Sequence, residues 1–326
     1  MHPDGPPPNR RAAIDVGTNS VKLLVADVFG HAVQPLFERT CQTRLGAGFY
    51  PDKRLTVPAI ARTAEVVGDF ASKARRFGAN PIRVLATSAA REAQNADELA
   101  SAIRQSSGLD MEILSGDREA ELAFVGVASS PRIAGSTLFL IEVGGGSTQF
   151  VVGRPPVPSF RCSLPVGAVR LLQSVSPSEP PTPADQVRCQ AAVRSALEGR
   201  GTQKLRAALA SLPSAPEAVA SGGTATVLGA MHQSVAGFDR DKIESAVLMQ
   251  NDLHEWLDRL WSLPLSERRQ IPGLPPERAD VILTGASILE GAMACFELPS
   301  LRISTRGLRF GAVTDRMSRA TAGREV

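Results

Sequence analysis

The 326-residue sequence has few of the residues that build disulfide frameworks and metal-binding motifs. Its four cysteines form no C-x-x-C pair, and its four histidines show no H-x-x-x-H spacing. In a chain of this length, such scattered cysteines argue against a disulfide scaffold and against a cysteine-rich zinc site. We therefore expect reduced thiols in the core, and there is little support for a histidine metal site or a Ser-His-Asp triad.

The sequence also lacks long apolar runs and a strong excess of either charge. No run provides the roughly 18 apolar residues that a membrane-spanning helix needs, and the stretch "MHPDGPPPNRR" lacks the apolar region of a signal peptide. The net charge of +3 is far from the basic bias of a dedicated nucleic-acid-binding protein. We expect a cytoplasmic protein with no nucleic acid or membrane as partner, and the mild basicity is compatible with an anionic ligand.

The apolar pattern predicts two domains of mixed helix and strand, and 43% hydrophobic residues suffice for sizeable cores. After a proline-rich tail over residues 1–11, expected to be disordered, strands at residues 12–16 and 21–29 flank a tight polar turn. Helices then alternate with strands, and "STLFLIEVGGGSTQFVVG" repeats the strand–turn–strand pattern. Thr56 is expected to cap the first helix, and Asn95 with Glu98 to form a capping box for a later one. This order predicts an α/β fold with mixed sheets.

One acid-and-glycine turn occurs twice, as "DVGTNS" and as "EVGGGS". Backbone N–H groups in a glycine-rich turn can converge on phosphate oxygens, and Ser20 and Ser147 add hydroxyl donors. Asp15 and Glu142 stand at the ends of the preceding strands, where their carboxylates suit Mg²⁺. A single such turn is as readily an ordinary hairpin. Two matched turns predict two related half-domains that face each other across a cleft.

Three further loops contain candidates for an anion-binding site. "ATSAAREAQNADE" presents Arg91, whose planar donor fork suits phosphate. "SGDREAELAFVG" places acids at a helix N-terminus, and Glu119 and Glu121 lie two positions apart, so only one of them is expected to enter a cleft as a general base. Gly222 and Gly223 open another helix N-terminus. Each feature also has a bland explanation: a solvated arginine, acids that favour the helix dipole, and glycines required for packing.

Taken together, these stretches resemble the exopolyphosphatase / guanosine pentaphosphate phosphohydrolase (Ppx/GppA) family. The matching segments follow the family's order over nearly the whole chain, and that order and spacing make the resemblance specific. The segments are "IDVGTNSVKLLV", "RLGAG", "ATSAAREAQN", "EILSGDREAELAFVGV", "IEVGGGSTQFVVG", "LPVGAVRL", "ASGGTATVLGAM", "RADVILTGASILEGAM" and "STRGLRFGAV".

The resemblance implies the duplicated actin-like, ribonuclease H-like fold, with two lobes around a central cleft. It implies a first domain of residues 12–125 plus 304–326 and a second of residues 126–303, the short two-domain form of the family, and it suggests a homodimer. It also implies hydrolysis of a terminal phosphoanhydride with Mg²⁺ (or Mn²⁺).

The resemblance further implies roles for single residues. Glu119 matches the family's catalytic base, and Asp15 and Glu142 match the acids that hold metal and orient phosphate. The family's second loop usually begins with Asp, so Glu142 is a departure, as is the triplet "DRE" where many relatives have a run of glutamates. The positions that match phosphate-binding residues are Gly17, Thr18, Asn19, Ser20, Arg91, Gly144, Gly145, Gly146 and Ser147.

Inorganic polyphosphate is the expected substrate, and pppGpp is the alternative that the same machinery would hydrolyse at its 5′-γ-phosphate. A small-molecule kinase and a non-catalytic phosphate sensor are more distant alternatives on the same fold. Four basic residues are candidates to guide the polyanion toward the cleft: Arg44, Lys53, Arg54 and Arg170.

Overall fold

Residues 9–133 and 135–315 are described by a computed structural model. Its first sheet has five strands in the order β3-β2-β1-β4-β5. β1, β2 and β3 form an antiparallel meander, and β4 and β5 continue the sheet in parallel on the other side of β1. The strands are β1 (Asn9–Val16), β2 (Val21–Phe29), β3 (Ala32–Cys41), β4 (Ile82–Ala86) and β5 (Met111–Ile113).

The second sheet repeats this arrangement. Its order is β10-β11-β9-β6-β7-β8, so the meander β6-β7-β8 and the parallel strands β9 and β11 correspond to the five strands of the first sheet. This repetition confirms the predicted duplicated actin-like α/β fold. The strands are β6 (Leu138–Val143), β7 (Thr148–Arg154), β8 (Val157–Leu164), β9 (Glu217–Ser221), β10 (Val247–Met249) and β11 (Ser300–Ile303).

Helices cover the two sheets and fill the space between them. We call the first sheet with α1–α3 the first lobe, and the second sheet with α5–α12 the second lobe. The helices are α1 (Val57–Arg76), α2 (Ser88–Glu92), α3 (Ala96–Ser107), α4 (Gly116–Ala128), α5 (Ala168–Val175), α6 (Pro183–Ala196), α7 (Arg200–Ala210), α8 (Gly222–His232), α9 (Arg240–Glu244), α10 (Gln250–Ser262), α11 (Leu265–Arg268), α12 (Ile282–Cys295) and α13 (Leu308–Thr314).

α4 and α13 lie between the two lobes. One face of α4, which includes Ala123 and Phe124, packs in a core with residues of the second sheet. Leu122 of the same helix packs with Phe310 of α13 and with residues of the first sheet. α4 therefore contacts both halves of the molecule. The predicted domain boundaries stay a prediction, and residues 316–326 of the proposed first domain lie outside the described residues.

Two local predictions were wrong and one is confirmed. β1 begins at Asn9, within the segment expected to be disordered, because Arg10 pairs with Asp27 of β2 (2.8 Å); residues 1–8 lie outside the described part of the chain. Thr56 caps α1 as predicted. Asn95 precedes α3 but makes no capping bond, because its side chain instead bonds to both backbone groups of Leu55.

The cysteines agree only in part with the expectation of core thiols. All four are free thiols, but only Cys189 is buried, and Cys41, Cys162 and Cys295 are partly exposed. Across residues 9–133 and 135–315, none of the helices combines the length and apolar character that crossing a bilayer requires.

Candidate active site

The two repeated turns have the same backbone geometry. In the first loop, between β1 and β2, Gly17 N donates to Ser20 O (3.0 Å), and in the second, between β6 and β7, Gly144 N donates to Ser147 O (2.9 Å). The loops touch: a Cβ added to Gly145 would lie 2.9 Å from Thr18 Cβ. The duplicated sheets therefore bring the two turns against each other.

A cavity of about 60 Å³ lies where the loops meet. It brings together the predicted residues of both halves with Glu119 of α4. The predicted residues that line it are Asp15, Gly17, Thr18, Asn19, Ser20, Glu119, Glu142, Gly144, Gly145, Gly146 and Ser147. Arg91 is not among the lining residues, so its direct contact with phosphate stays a prediction, as do the roles of the others.

Glu119 lies in the first turn of α4 and is 7% exposed. Its Oε2 accepts a hydrogen bond from Arg91 Nη1 (3.0 Å), and Arg91 is itself held by the carbonyl of Leu114 (2.7 Å). Burial raises the pKa of Glu119 to about 7, against the opposing attraction of Arg91. As the spacing predicts, Glu121 points elsewhere and pairs with Arg118. Glu119 thus has a pKa suited to proton transfer near neutral pH.

The acids of the two loops lie near the ends of β1 and β6, in different sheets; Asp15 is buried and Glu142 is partly buried. Burial raises the pKa of Asp15. The positive charge of Lys22, whose Nζ lies 3.9 Å from Asp15 Oδ2, only partly offsets this increase. Burial likewise raises the pKa of Glu142 to about 7, and its Oε2 is buried without a hydrogen-bond partner among the described residues. Glycines accommodate its longer side chain, since a Cβ on Gly307 would lie 3.1 Å from Glu142 Oε1.

These acids fit a divalent cation. An unsatisfied buried carboxylate oxygen costs free energy that a bound cation removes. Mg²⁺ is often held by one or two carboxylates, with substrate phosphates and water completing its shell. Asp15 and Glu142 match that pattern, and no cluster of three or more candidate side-chain ligands occurs in residues 9–133 and 135–315.

Several cavity residues were not predicted, among them Lys22, Gln149 and Arg278. Lys22 lies opposite Asp15 in the β1–β2 pair, which the strand–turn–strand pattern would have indicated, because paired residues share a face of the sheet. Gln149, opposite Glu142, donates to Ser147 Oγ (2.9 Å). Arg278 comes from a distant 3₁₀ turn and had no sequence signal; a Cβ on Gly223 would lie 2.4 Å from its Nη1.

The four basic residues proposed to guide the polyanion all form ion pairs. Arg44 crosses to Asp280 of the second lobe (2.6 Å), and Arg54 pairs with Glu98 at the surface. The other two share one acid: Lys53 and Arg170 both pair with Glu92. Their guiding role stays a prediction, and their charges are already partly neutralised.

Relatives in sequence extend over most of the chain. Residues 24–320 match the model of the Ppx/GppA phosphatase family. The chain is 34% identical over 295 residues to exopolyphosphatase 2 of Mycobacterium tuberculosis, which covers 86% of this chain and 89% of that protein. It is 27% identical over 316 residues to exopolyphosphatase 1 of Mycobacterium leprae, and the match covers 96% of this chain and 91% of that protein.

Solved structures share the fold. The Ppx/GppA family member of Aquifex aeolicus matches with a TM-score of 0.76 at 28% identity, over 94% of this chain and 97% of that one. An exopolyphosphatase of Cytophaga hutchinsonii matches with a TM-score of 0.81 at 24% identity, over 93% and 96%, and this likeness concerns the fold alone. The resemblance read from the motifs is thus confirmed, and the chain belongs to the Ppx/GppA phosphatase family.

Proposed function

We propose that this protein is an exopolyphosphatase, which hydrolyses the terminal phosphoanhydride of inorganic polyphosphate and releases phosphate. One observation carries the proposal: the buried carboxylate of Glu119 lines the same cavity as the two glycine loops. The identity of 34% to a protein named exopolyphosphatase 2 supports the choice of substrate.

In this proposal the two loops hold the terminal phosphate. The N–H groups of Gly145 and Gly146 donate to no backbone carbonyl in the part of the chain that the structure describes, so they are available to phosphate oxygens. Positioned donors of this kind stabilise the charge that develops during phosphoryl transfer. Lys22 and Arg278 add positive charge at the same cavity.

Glu119 acts on the attacking water. Arg91 occupies its Oε2, which leaves Oε1 to accept the proton while the water oxygen bonds to the terminal phosphorus and the bridging P–O bond breaks. Asp15 and Glu142 are the residues that would hold Mg²⁺, which when bound neutralises charge on the phosphate oxygens. Arg91 would then contribute by orienting the base.

A panel of phosphate-release assays tests this function. The purified protein is given tripolyphosphate, long-chain polyphosphate, pppGpp and ATP, each with Mg²⁺, with Mn²⁺ and with EDTA. We expect phosphate release from polyphosphate that EDTA abolishes and added Mg²⁺ restores. Absence of release from both polyphosphates with either metal, or transfer of phosphate from ATP to an acceptor, would contradict the proposal.

A second candidate is hydrolysis of pppGpp, favoured by a cavity of about 580 Å³ beside the cleft. Phe238, 58% exposed, lines it together with apolar residues such as Val227. Arg278 and Arg309 border both this cavity and the smaller space that reaches Asp15. An aromatic ring near a phosphate site is suited to stack a nucleobase.

The substitution Phe238→Ala separates the two substrates. If a guanine base stacks on this ring, kcat/KM for pppGpp should fall about tenfold, which corresponds to the lower part of the range for base stacking, and kcat/KM for tripolyphosphate should not change. Phe29→Ala, which removes another exposed ring, is the control. If Phe238→Ala and the wild type have the same kcat/KM for pppGpp, the base does not bind in this cavity.

A further inference from the structure

The beginning of α5 binds the carbonyl groups of the second loop. Two backbone N–H groups donate hydrogen bonds to the first two carbonyls, and a side chain donates to the third. The bonds run from Ala168 N to Gly144 O (2.9 Å), from Val169 N to Gly145 O (2.8 Å) and from Arg170 Nε to Gly146 O (2.8 Å).

The hydrogen bond from Arg170 orients an N–H group as well as the carbonyl that accepts it. A trans peptide is planar, and its C=O and N–H groups point in opposite directions. When Arg170 fixes the carbonyl of Gly146, it therefore also fixes the direction of the Ser147 N–H. Ser147 lines the cavity, and its N–H donates to no backbone carbonyl within residues 9–133 and 135–315.

The guanidinium of Arg170 is anchored in the opposite lobe. Its Cζ lies 4.4 Å from the ring centroid of Tyr50, and its Nη2 bonds to Glu92 Oε1. Glu92 is already held by Lys53 (2.6 Å) and Ser88 (3.0 Å). Burial opposes the charge of Glu92, but hydrogen bonds from Lys53 and Arg170 outweigh it and lower its pKa. The first lobe thus presents a charged acceptor and an aromatic face to one side chain of the second lobe.

The lobes are in close contact at this point. A Cβ added to Gly146 would lie 2.5 Å from Ser88 Oγ, 2.6 Å from Tyr50 Oη and 2.9 Å from Thr18 Oγ1. All three hydroxyls belong to the first lobe, so the second loop seats against it only because position 146 has no side chain. Tyr50 and Ser88 therefore take part both in the anchoring of Arg170 and in the contact between the lobes at Gly146.

We propose that Arg170 is a positioning residue that couples contact between the lobes to the orientation of the Gly146–Ser147 peptide at the phosphate site. When the lobes meet, Glu92 and Tyr50 immobilise the guanidinium, which then holds the peptide with its N–H directed for phosphate. When they separate, the third carbonyl loses its fixed partner. The inference rests on the proposed function, since phosphate is the group that this N–H would receive.

Substitutions at position 170 test the coupling. In Arg170→Ala the carbonyl of Gly146 is released, and in Arg170→Lys the charge remains but one ammonium cannot serve Gly146, Glu92 and Tyr50 together. Arg104→Ala, which removes an exposed arginine of another ion pair, is the control. Each protein is assayed for kcat and KM on tripolyphosphate, with and without guanidinium at millimolar concentration. Tripolyphosphate affinity is measured by calorimetry in a Glu119→Gln background.

We expect both Arg170 variants to lose about 10- to 100-fold in kcat/KM, less than removal of a whole transition-state donor costs. Added guanidinium should partly restore Arg170→Ala, a rescue that a merely destabilised protein would not show. Wild-type kinetics and affinity in Arg170→Ala, or full activity in Arg170→Lys, would overturn the inference. If the wild type hydrolyses no polyphosphate, the proposed function fails, and the calorimetric comparison alone decides the role of Arg170.

Discussion

Replacing Glu119 by glutamine is expected to lower kcat for phosphate release by a factor of about 10²–10⁴, the usual contribution of a general base. Glutamine keeps the shape of the side chain and can still accept the hydrogen bond from Arg91, but it cannot take a proton from water. Glu121→Gln, on the same helix but paired with Arg118 outside the cavity, should retain activity. Near-normal turnover of Glu119→Gln would remove Glu119 from the role of base.

The same substitution should stabilise the protein. The pKa of Glu119 is raised from 4.5 to about 7, so the folded state binds more protons than the unfolded state between these values. Stability attributable to this carboxyl therefore falls as pH rises through that window. At about 1.4 kcal/mol per pKa unit, the advantage of Glu119→Gln over the wild type should grow from pH 4 to pH 8 by roughly 3 kcal/mol.

Two measurements check this behaviour. Denaturant unfolding in EDTA, at pH 4 and at pH 8, gives the free energy of unfolding of both proteins without a bound cation. A pH profile of the wild type should show kcat rising through about pH 7 as Glu119 loses its proton. If the difference in unfolding free energy is the same at both pH values, the carboxyl of Glu119 does not have the raised pKa.

The second large effect concerns the crossing of α4 and α13. A Cβ on Gly126 would lie 1.9 Å from the carbonyl oxygen of Gly307, and a Cβ on Gly311 would lie 1.9 Å from that of Leu122. Backbone atoms cannot move aside as a flexible side chain can, so the helices must separate. We expect Gly126→Ala and Gly311→Ala each to lower the free energy of unfolding by about 3 kcal/mol or more, at the upper end of the cost of overpacking.

Thermal and denaturant unfolding measure this cost, with Gly199→Ala as the matched control. A Cβ at Gly199 meets no atom within 4 Å, so this variant should stay within about 1 kcal/mol of the wild type. Because α4 carries Glu119, separated helices should also lower kcat in folded protein. Wild-type stability in both variants would contradict the close crossing.

The parts of the structure that repeat were predictable from the sequence, and the parts that depend on distant contacts were not. The turns "DVGTNS" and "EVGGGS" indicated two facing half-domains, because the same residue types at the same spacing impose the same backbone. Arg278 reaches the cavity from a turn far along the chain, and no local pattern marks it. Asn95 has the sequence of a helix cap, but a tertiary partner, Leu55, takes its side chain.

Arg91 shows the same limit within the candidate active site. Its residue type and its loop both suit phosphate, yet in the structure it bonds to Glu119 and Leu114. A donor fork suits a carboxylate as well as a phosphate, so sequence alone could not choose between them. The raised pKa of Glu142 was equally hidden, because it arises from burial that only the assembled lobes produce.

The contact between Thr18 and Gly145 has a topological consequence. Because the two loops touch, a linear polyanion cannot pass between them at that point. If polyphosphate is the substrate, as we propose, a chain that enters from the open side would present its terminal unit to Glu119 and extend back along the path by which it entered. The selection of chain ends over internal bonds would then come from the closed side of the cavity together with the loop N–H groups that hold the terminal phosphate.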